Sequence, residues 1–317
     1  MTVDISLISP IYNEEKSLPE FLSCLLVELD KLERTYEVIL INDGSTDSSQ
    51  LILEDFECKN SSIHVIEFVR NFGQTAAIMA GLDRAMGKII VTIDSDLQND
   101  PSDIGSLIDK IDEGFDVVSG WRKVRKDSKI KRNLVSKIAN KVISYVSGVP
   151  LQDYGCTLKA YRSEVLSYSR LYGEMHRFIP IYASWSGAKV TEIPVKHHSR
   201  KYGSSNYGLE RIFKVILDLI FVKFMSNFMH KPIYFFGGFA FLSILISSLL
   251  FLYMVMLKIV YSVSFILTPL PVLIIMFFLI GILSILLGII AELTVRTYFE
   301  SQKKVTYIIK NHSGLDQ

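Results

Sequence analysis

The residues best suited to chemistry in this sequence are two carboxylates and an amide in the segment Asp94-Ser-Asp-Leu-Gln98, which directly follows an apolar run. Asp94 and Asp96 offer charged oxygens, and Gln98 offers a neutral one. Oxygen donors of this kind are the hard ligands that Mg²⁺ or Mn²⁺ prefers. A divalent cation held there would stabilise a departing diphosphate as a Lewis acid. The segment therefore predicts a metal-assisted reaction of a phosphorylated substrate.

Three further polar clusters stand at the ends of apolar runs. Each cluster taken alone has an ordinary structural explanation. The sequence Asn-Asp-Gly-Ser, for example, also favours a turn and a helix cap. Four polar clusters at one predicted edge favour a functional site instead. The three additional clusters are Pro10-Ile-Tyr-Asn-Glu-Glu15, Asn42-Asp-Gly-Ser-Thr-Asp47 and Arg70-Asn-Phe-Gly73.

Short runs rich in β-branched residues, alternating with helical periodicity, predict the elements that position these clusters. Repeated β-α-β units imply right-handed crossovers and an α/β fold, with a mostly parallel sheet flanked by helices. Ligands of such sheets bind outside the carboxyl ends of the strands, where all four clusters fall. The predicted strands are Ile5–Ser9, Glu37–Ile41, His64–Val69, Lys88–Ile93 and Asp116–Ser119.

Composition and missing motifs exclude several function classes. The 317 residues have a formal net charge of +1, which gives no argument for nucleic acid as a partner. The sequence has no GxxxxGK[ST] loop and no GxGxxG after the first strand. These motifs bind phosphates in Walker ATPases and dinucleotide oxidoreductases, so their absence argues against both classes of enzyme. Cys24, Cys58 and Cys156 are too far apart for a disulfide framework or a structural zinc site.

The C-terminal part of the chain is suited to lipid. Residues 232–317 carry 5 basic and 3 acidic side chains, against 29 and 30 in residues 1–231. No Asp, Glu, Lys or Arg occurs in residues 232–257 or 259–291, and about 20 apolar residues are enough to cross a bilayer. Buried core helices are the alternative, but a domain of this size rarely needs uncharged runs this long. We expect a hairpin of two transmembrane helices, about 232–257 and 270–291.

The flanking charges predict how the chain is oriented. Lys and Arg residues outside the two spans outnumber Lys258 between them, so the catalytic domain and both termini are expected in the cytoplasm. The predicted integral, multi-pass protein has a catalytic domain (1–206), a juxtamembrane amphipathic helix (207–231), a membrane region (232–293) and a tail (294–317). The amphipathic helix either packs on a core or lies in the headgroup plane, and we expect the second placement.

A basic segment follows the last predicted strand. Residues 121–137 contain eight Lys and Arg residues against Asp127 alone. Runs of this kind are usually solvated surface, but a basic segment at a bilayer gains about 1 kcal/mol per Lys or Arg from anionic lipid. Charged donors also bond phosphate oxygens strongly. Lys129, Lys131 and Arg132 are therefore predicted to bind the phosphate of a lipid acceptor.

In order and spacing, the four polar clusters resemble those of the family 2 glycosyltransferases with the GT-A fold. With two C-terminal spans, the chain is similar to the polyprenyl-phosphate glycosyltransferases, which include dolichyl-phosphate mannose synthase and undecaprenyl-phosphate glucosyltransferases. Later motifs look closest to the branch containing undecaprenyl-phosphate 4-deoxy-4-formamido-L-arabinose transferase. These motifs are Asp153-Tyr-Gly-Cys-Thr-Leu-Lys-Ala-Tyr-Arg162, Arg177-Phe-Ile-Pro180 and Glu192-Ile-Pro-Val195.

The resemblance implies how a nucleotide sugar would be held. Asp94 would orient the nucleotide sugar, while Asp96 and Gln98 would ligate Mg²⁺ or Mn²⁺. The remaining residues implied to bind the nucleotide sugar are Pro10, Tyr12, Glu14, Asp43, Ser45 and Arg70.

The same resemblance implies catalytic roles later in the chain. Arg122 would reach a phosphate, and residues 197–207 would close over the site with Arg200 as a phosphate clamp. In some relatives a functional Asp directly follows a glycine. In this chain the residue after the corresponding glycine is Cys156. Asp153, three residues earlier, is the candidate for that role here.

The implied reaction is inverting transfer of one sugar from a nucleotide sugar, such as UDP-glucose, to undecaprenyl or dolichyl phosphate. A phosphomonoester has a second pKa of about 6, so the acceptor is already largely an anion and needs no strong base. The alternatives are a GDP-mannose-dependent enzyme like dolichyl-phosphate mannose synthase and a non-catalytic membrane anchor that binds nucleotide sugars. A polysaccharide synthase would need more spans and a QxxRW motif. A homotetramer would fit relatives, although no heptad signal demands it.

Overall fold

The structure is a computed structural model that describes residues 3–123, 140–141, 143–145, 147–166, 175–202, 223–224, 228 and 231–301. The chain divides into two compact units, residues 1–220 and residues 221–317. The first unit contains the sheet and its helices, and the second contains the long apolar helices.

Over the residues that the structure describes, seven strands form the sheet of the first unit, in the order β3-β2-β1-β4-β6-β5-β7. The pairs β1–β2, β1–β4 and β2–β3 are parallel, which confirms the predicted α/β class with a mostly parallel sheet. All five strands predicted from the sequence are present. The strands are β1 Ile5–Ile11, β2 Tyr36–Asn42, β3 Ile63–Glu67, β4 Ile89–Thr92, β5 Val117–Trp121, β6 Lys159–Arg162 and β7 Val190–Pro194.

Strands β6 and β7 complete the sheet beyond the five predicted strands. Strand β6 lies between β4 and β5 and is antiparallel to both, with Thr92 opposite Lys159 and Val118 opposite Ala160. Strand β7 is the outermost strand on this side of the sheet; it runs parallel to β5 and ends at Pro194. Because β6 is antiparallel to β4 and β5, the loop before β6 lies where those two strands end.

Helices cover both faces of the sheet, so most strand residues are buried on either side. On one face, Leu7 of β1 packs in a core with apolar residues of α1, α2 and α4. On the other face, the next residue, Ile8, packs with residues of α3 and α6. Over the described residues, the α-helices of this unit include α1 Leu18–Asp30, α2 Ser49–Lys59, α3 Gln74–Leu82, α4 Ile104–Asp112, α5 Ser163–Leu166 and α6 Ile179–Trp185.

The second unit is an antiparallel pair of long helices, α7 Pro232–Tyr261 and α8 Leu270–Ser301. The helices approach closely at Gly281, where an added Cβ would lie 2.6 Å from Ile244. The Ser247 hydroxyl donates to the carbonyl of Ile274 at 2.8 Å. By length and composition, 232–261 and 270–295 are each able to cross a membrane, and only 22% and 17% of their most apolar stretches are buried.

Several predicted segments lie outside the described residues. They include the lipid-phosphate candidates Lys129, Lys131 and Arg132, and residues 302–317 of the tail. The predicted amphipathic helix 207–231 is also outside, apart from residues 223–224, 228 and 231.

Candidate active site at the carboxyl edge of the sheet

The polar clusters predicted from the sequence meet where β1, β2, β4 and β5 end, which we call the carboxyl edge. Loops 12–17, 43–48, 94–100 and 153–158 lie there, together with Arg122 directly after β5. Two of these loops contain a non-glycine residue with a left-handed backbone, Asn13 with φ 55° and Leu97 with φ 60°. Such conformations cost free energy and are commonly retained at functional sites.

Asp94 is held by neutral hydrogen-bond donors. The side-chain amide of Gln74, the first residue of α3, donates to Asp94 Oδ1 at 2.7 Å. Thr157, in the loop before β6, also hydrogen bonds to the Asp94 side chain. Burial and the neighbouring Asp96 carboxylate together raise the pKa of Asp94 to about 6. The two carboxylates are thus close enough to repel each other, and a bound divalent cation would relieve that repulsion.

Asp96 is held by a charged donor from a distant segment. Arg200 Nη2 donates to Asp96 Oδ2 at 2.9 Å and lies 3.7 Å from Glu14 Oε1. The other oxygen, Asp96 Oδ1, accepts the backbone N–H of Gln98 at 3.0 Å. The Arg200 guanidinium therefore bridges Glu14, which was predicted to bind the nucleotide sugar, and Asp96, which was predicted to bind the metal. Arg200 itself was predicted to bind a phosphate.

The segment that carries Arg200 is fixed along the loop after β4. His198 donates its backbone N–H to the carbonyl of Gln98 at 2.8 Å, and its ring lies 3.0 Å from Asp100 Oδ2. Although burial acts in the opposite direction, hydrogen bonds from His198 and Ser102 hold the pKa of Asp100 at about 2. His198 and Arg200 therefore lie against the loop after β4, while 203–207 are outside the described residues.

The loops after β1 and β2 support each other through reciprocal hydrogen bonds. Asn13 donates its backbone N–H to the hydroxyl of Ser45 at 3.0 Å, and its side chain accepts from the backbone of Thr46 at 2.8 Å. Glu14 donates its backbone N–H to the hydroxyl of Ser49 at 3.0 Å. The predicted nucleotide-binding residues Glu14 and Ser45 are positioned by this framework, and Tyr12 beside it is 45% exposed.

Asp43 has a structural role that the sequence did not indicate. Both of its carboxylate oxygens accept backbone N–H groups at the start of α3, from Phe72 at 2.7 Å and from Gly73 at 2.9 Å. The next residue, Gly44, has φ 67°, and an added Cβ would lie 2.3 Å from the carbonyl carbon of Arg70. Asp43 therefore fixes the loop that carries Arg70, whose guanidinium lies over the exposed Phe72 ring.

Arg122 and Asp153 form a buried ion pair at the carboxyl edge. Arg122 Nε donates to Asp153 Oδ2 at 2.7 Å, and Nη2 donates to Oδ1 at 3.0 Å. Their side chains are 15% and 4% exposed. Burial lowers the pKa of Arg122, but the paired carboxylate outweighs that effect and raises it. Cys156, which occupies the position of a functional Asp in some relatives, is fully buried, and burial raises its pKa to about 11.

Behind the ion pair lies a buried polar layer that the sequence analysis did not assign. Lys159 Nζ donates to the carbonyl of Tyr154 at 3.2 Å, and burial lowers the pKa of Lys159 to about 8. His176 Nδ1 lies 2.6 Å from the hydroxyl of Thr75, the second residue of α3. Burial lowers the pKa of His176 well below its usual value, so the ring is neutral. A neutral ring bonded to a hydroxyl fits a positioning role.

The donor atoms at the carboxyl edge are chemically suited to a divalent cation. Asp94 and Asp96 supply carboxylate oxygens, and Gln98 is partly buried beside them. Over the described ranges, no three His, Cys, Asp or Glu side chains converge as a ready-made metal site. Mg²⁺ is commonly bound through one or two carboxylates plus substrate phosphates, so this small set fits a cation that arrives with a phosphorylated ligand.

Comparison with known proteins identifies the family. The model for glycosyl transferase family 2 matches residues 6–169. Dodecaprenyl-phosphate galacturonate synthase of Rhizobium johnstonii is 36% identical over 98% of this chain and 93% of its own length. Undecaprenyl-phosphate 4-deoxy-4-formamido-L-arabinose transferase of Shewanella sediminis is 36% identical over 97% of this chain and 92% of its own length.

A solved structure has the same fold. Glucosyl-3-phosphoglycerate synthase from Mycobacterium tuberculosis, in complex with Mn²⁺, UDP and phosphoglyceric acid, aligns with a TM-score of 0.55. It is 18% identical and covers 71% of this chain and 78% of its own. The predicted GT-A-type fold is therefore confirmed. The chain belongs to glycosyl transferase family 2 and is a glycosyltransferase.

Proposed function

We propose that this chain transfers a single sugar from a nucleotide sugar to a polyprenyl phosphate at a membrane surface. The observation that carries the proposal is the meeting of Asp94 and Asp96 with Arg122 and Arg200 at one edge of the sheet. Paired carboxylates suit a metal and a sugar, and two guanidinium groups suit phosphates. Two full-length relatives are named for transfer to dodecaprenyl or undecaprenyl phosphate, which supports the acceptor class.

In the proposed reaction, a phosphate oxygen of the acceptor attacks the anomeric carbon of the donor sugar. The bond from that carbon to the diphosphate breaks, and the nucleoside diphosphate leaves with the electron pair. Direct displacement inverts the anomeric configuration. Because the acceptor phosphate is already an anion near neutral pH, the site needs no general base. Burial lowers the pKa of His176 and makes its ring a weak base, which agrees with this requirement.

In the proposed reaction, some of the described residues orient the donor sugar and others offset negative charge on the phosphates. Asp94, held by Gln74, would accept hydrogen bonds from the sugar hydroxyls and orient the anomeric carbon. Arg200 would bind the diphosphate, and Arg122, kept in place by Asp153, would offset charge near the reacting phosphates. A divalent cation, Mg²⁺ or Mn²⁺, held by Asp96 and Gln98 would draw charge from the leaving diphosphate when bound.

The membrane side of the proposal has separate support. Helices α7 and α8 are long and apolar enough to cross a bilayer, with few buried residues in their most apolar stretches. We propose a two-span integral protein whose catalytic domain and both termini are cytoplasmic, because basic flanks favour that side. Lys129, Lys131 and Arg132 would hold the lipid phosphate, and their replacement by Ala is expected to raise the acceptor KM more than the donor KM.

Incubating membranes that contain the chain with labelled nucleotide sugars and a polyprenyl phosphate tests the function. A chloroform-soluble product that mild acid cleaves to a single sugar is expected. A polymer, or nucleotide binding without any product, would reject the proposal in favour of a polysaccharide synthase or a non-catalytic anchor. A panel of UDP-sugars and GDP-mannose identifies the donor. We propose a UDP-sugar, such as UDP-glucose, and GDP-mannose is the alternative.

A further inference from the structure

Arg200 forms an ion pair with Asp96, the same carboxylate that is proposed to bind the metal ion. Its guanidinium bridges Asp96 at 2.9 Å and Glu14 at 3.7 Å, in a site where the three side chains are only 29%, 10% and 19% exposed. The second oxygen of each carboxylate accepts a neutral donor, the Gln98 N–H for Asp96 and the Ser17 hydroxyl for Glu14. In this pair of carboxylates, Arg200 supplies the countercharge.

The bridge is held from both sides of Arg200 in the sequence. Lys201, the next residue, forms an ion pair with Glu20 on α1. His198, two residues earlier, is bonded to the loop that contains Asp96 through the Gln98 carbonyl. The backbone around Arg200 is thus tied to α1 and to the metal loop. The guanidinium can change partners through its own side-chain torsions, while the segment stays in place.

We propose that Arg200 is an internal counter-ion that keeps a free divalent cation from Asp96 until a nucleotide diphosphate binds. This inference rests on the proposed function, because it concerns the same site. A divalent cation on Asp96 would lie within a few ångströms of the guanidinium, and like charges at that distance repel strongly in a partly buried site. The diphosphate supplies new oxygens for both cations, so metal and nucleotide bind together.

Glu14 acts as a positioning residue in this scheme. When the cation takes Asp96, Glu14 still offers the guanidinium a carboxylate partner at the rim of the site. Arg200 then remains beside the diphosphate instead of turning into solvent. Burial raises the pKa of Glu14, although Arg200 opposes that shift.

The test measures Mn²⁺ binding to the purified full-length chain by the electron paramagnetic resonance signal of free Mn²⁺, with and without UDP. The wild type is expected to bind Mn²⁺ weakly alone and much more tightly with UDP. Arg200→Met is expected to bind Mn²⁺ alone about tenfold or more tightly than the wild type, because a repelling charge is gone. Its further gain from UDP should be smaller.

Two matched variants separate this effect from misfolding. Lys59→Met removes a cation remote from the site, which contacts Asp55 and not the metal loop, and should bind Mn²⁺ like the wild type. Arg200→Lys keeps the charge and should keep Mn²⁺ binding weak without UDP. Wild-type affinity of Arg200→Met for Mn²⁺ alone, or tight binding by the wild type alone, would overturn the inference. Sugar transfer, measured on the same samples, reports the proposed function separately.

Discussion

The buried pair of Arg122 and Asp153 allows the structural and catalytic contributions of one contact to be separated. Its two side-chain hydrogen bonds, 2.7 and 3.0 Å long, are supplemented by the backbone N–H of Gly155, which donates to Asp153 Oδ1 at 3.1 Å. Removing one partner of a buried pair leaves an uncompensated charge and costs about 3–5 kcal/mol. In a domain of this size, that loss lowers Tm by roughly 6–20 °C.

We therefore predict that Arg122→Met and Asp153→Leu each lower Tm by roughly this amount, whereas the double variant recovers most of the loss. Apolar side chains of similar volume can replace a buried ion pair at little cost. Turnover should not recover in the double variant, because the positive charge near Asp94 is still missing.

The assay pairs thermal unfolding of the detergent-solubilised chain with kcat/KM for sugar transfer. If the double variant regained wild-type turnover, the pair would be purely structural and the catalytic role of Arg122 would be refuted. Single variants that melt like the wild type would refute the energetic reasoning.

Three further predictions concern individual side chains. Asp96→Ala should abolish transfer while the chain still folds, and normal activity would contradict its role. Gln74→Ala should lower the donor kcat/KM about tenfold or more through loss of a hydrogen bond to the charged Asp94, with the remote amide variant Asn60→Ala as control; equal donor kinetics in the two variants would count against the role. Burial lowers the pKa of Lys159 to about 8, so above that pH the folded chain has released a proton that the unfolded chain keeps, and folding gains stability as pH rises. Tm measured at about pH 7 and about pH 9.5 should therefore rise more in the wild type than in Lys159→Met, and parallel changes would contradict this.

The strands that the sequence predicted are those with apolar, β-branched runs, because burial on both faces imposes that composition. Strand β6, Lys-Ala-Tyr-Arg, is four residues long and half charged, so no hydrophobic pattern identifies it. Its place is set by register with β4 and β5 on either side. Strand β7 contains Pro194, which is tolerated because the strand lies at the edge.

The candidate site was predictable where the functional residues lie close together in one loop, as Asp94, Asp96 and Gln98 do. Contacts across the fold were not predictable from spacing. Arg200 reaches Asp96 over 104 residues of sequence. Gln74 is the first residue of a helix, a position where a polar residue needs no functional explanation, and only the structure shows its amide on Asp94.

Sugar transfer by the purified full-length chain, with a labelled UDP-sugar and polyprenyl phosphate, before and after metal removal, decides whether the reaction needs a divalent cation. A strong chelator should abolish formation of the chloroform-soluble product, and added Mn²⁺ or Mg²⁺ should restore it. The Asp96→Ala variant should stay inactive with either metal. Undiminished transfer in excess chelator would contradict the account, because no cation would then be needed beside Asp94 and Asp96.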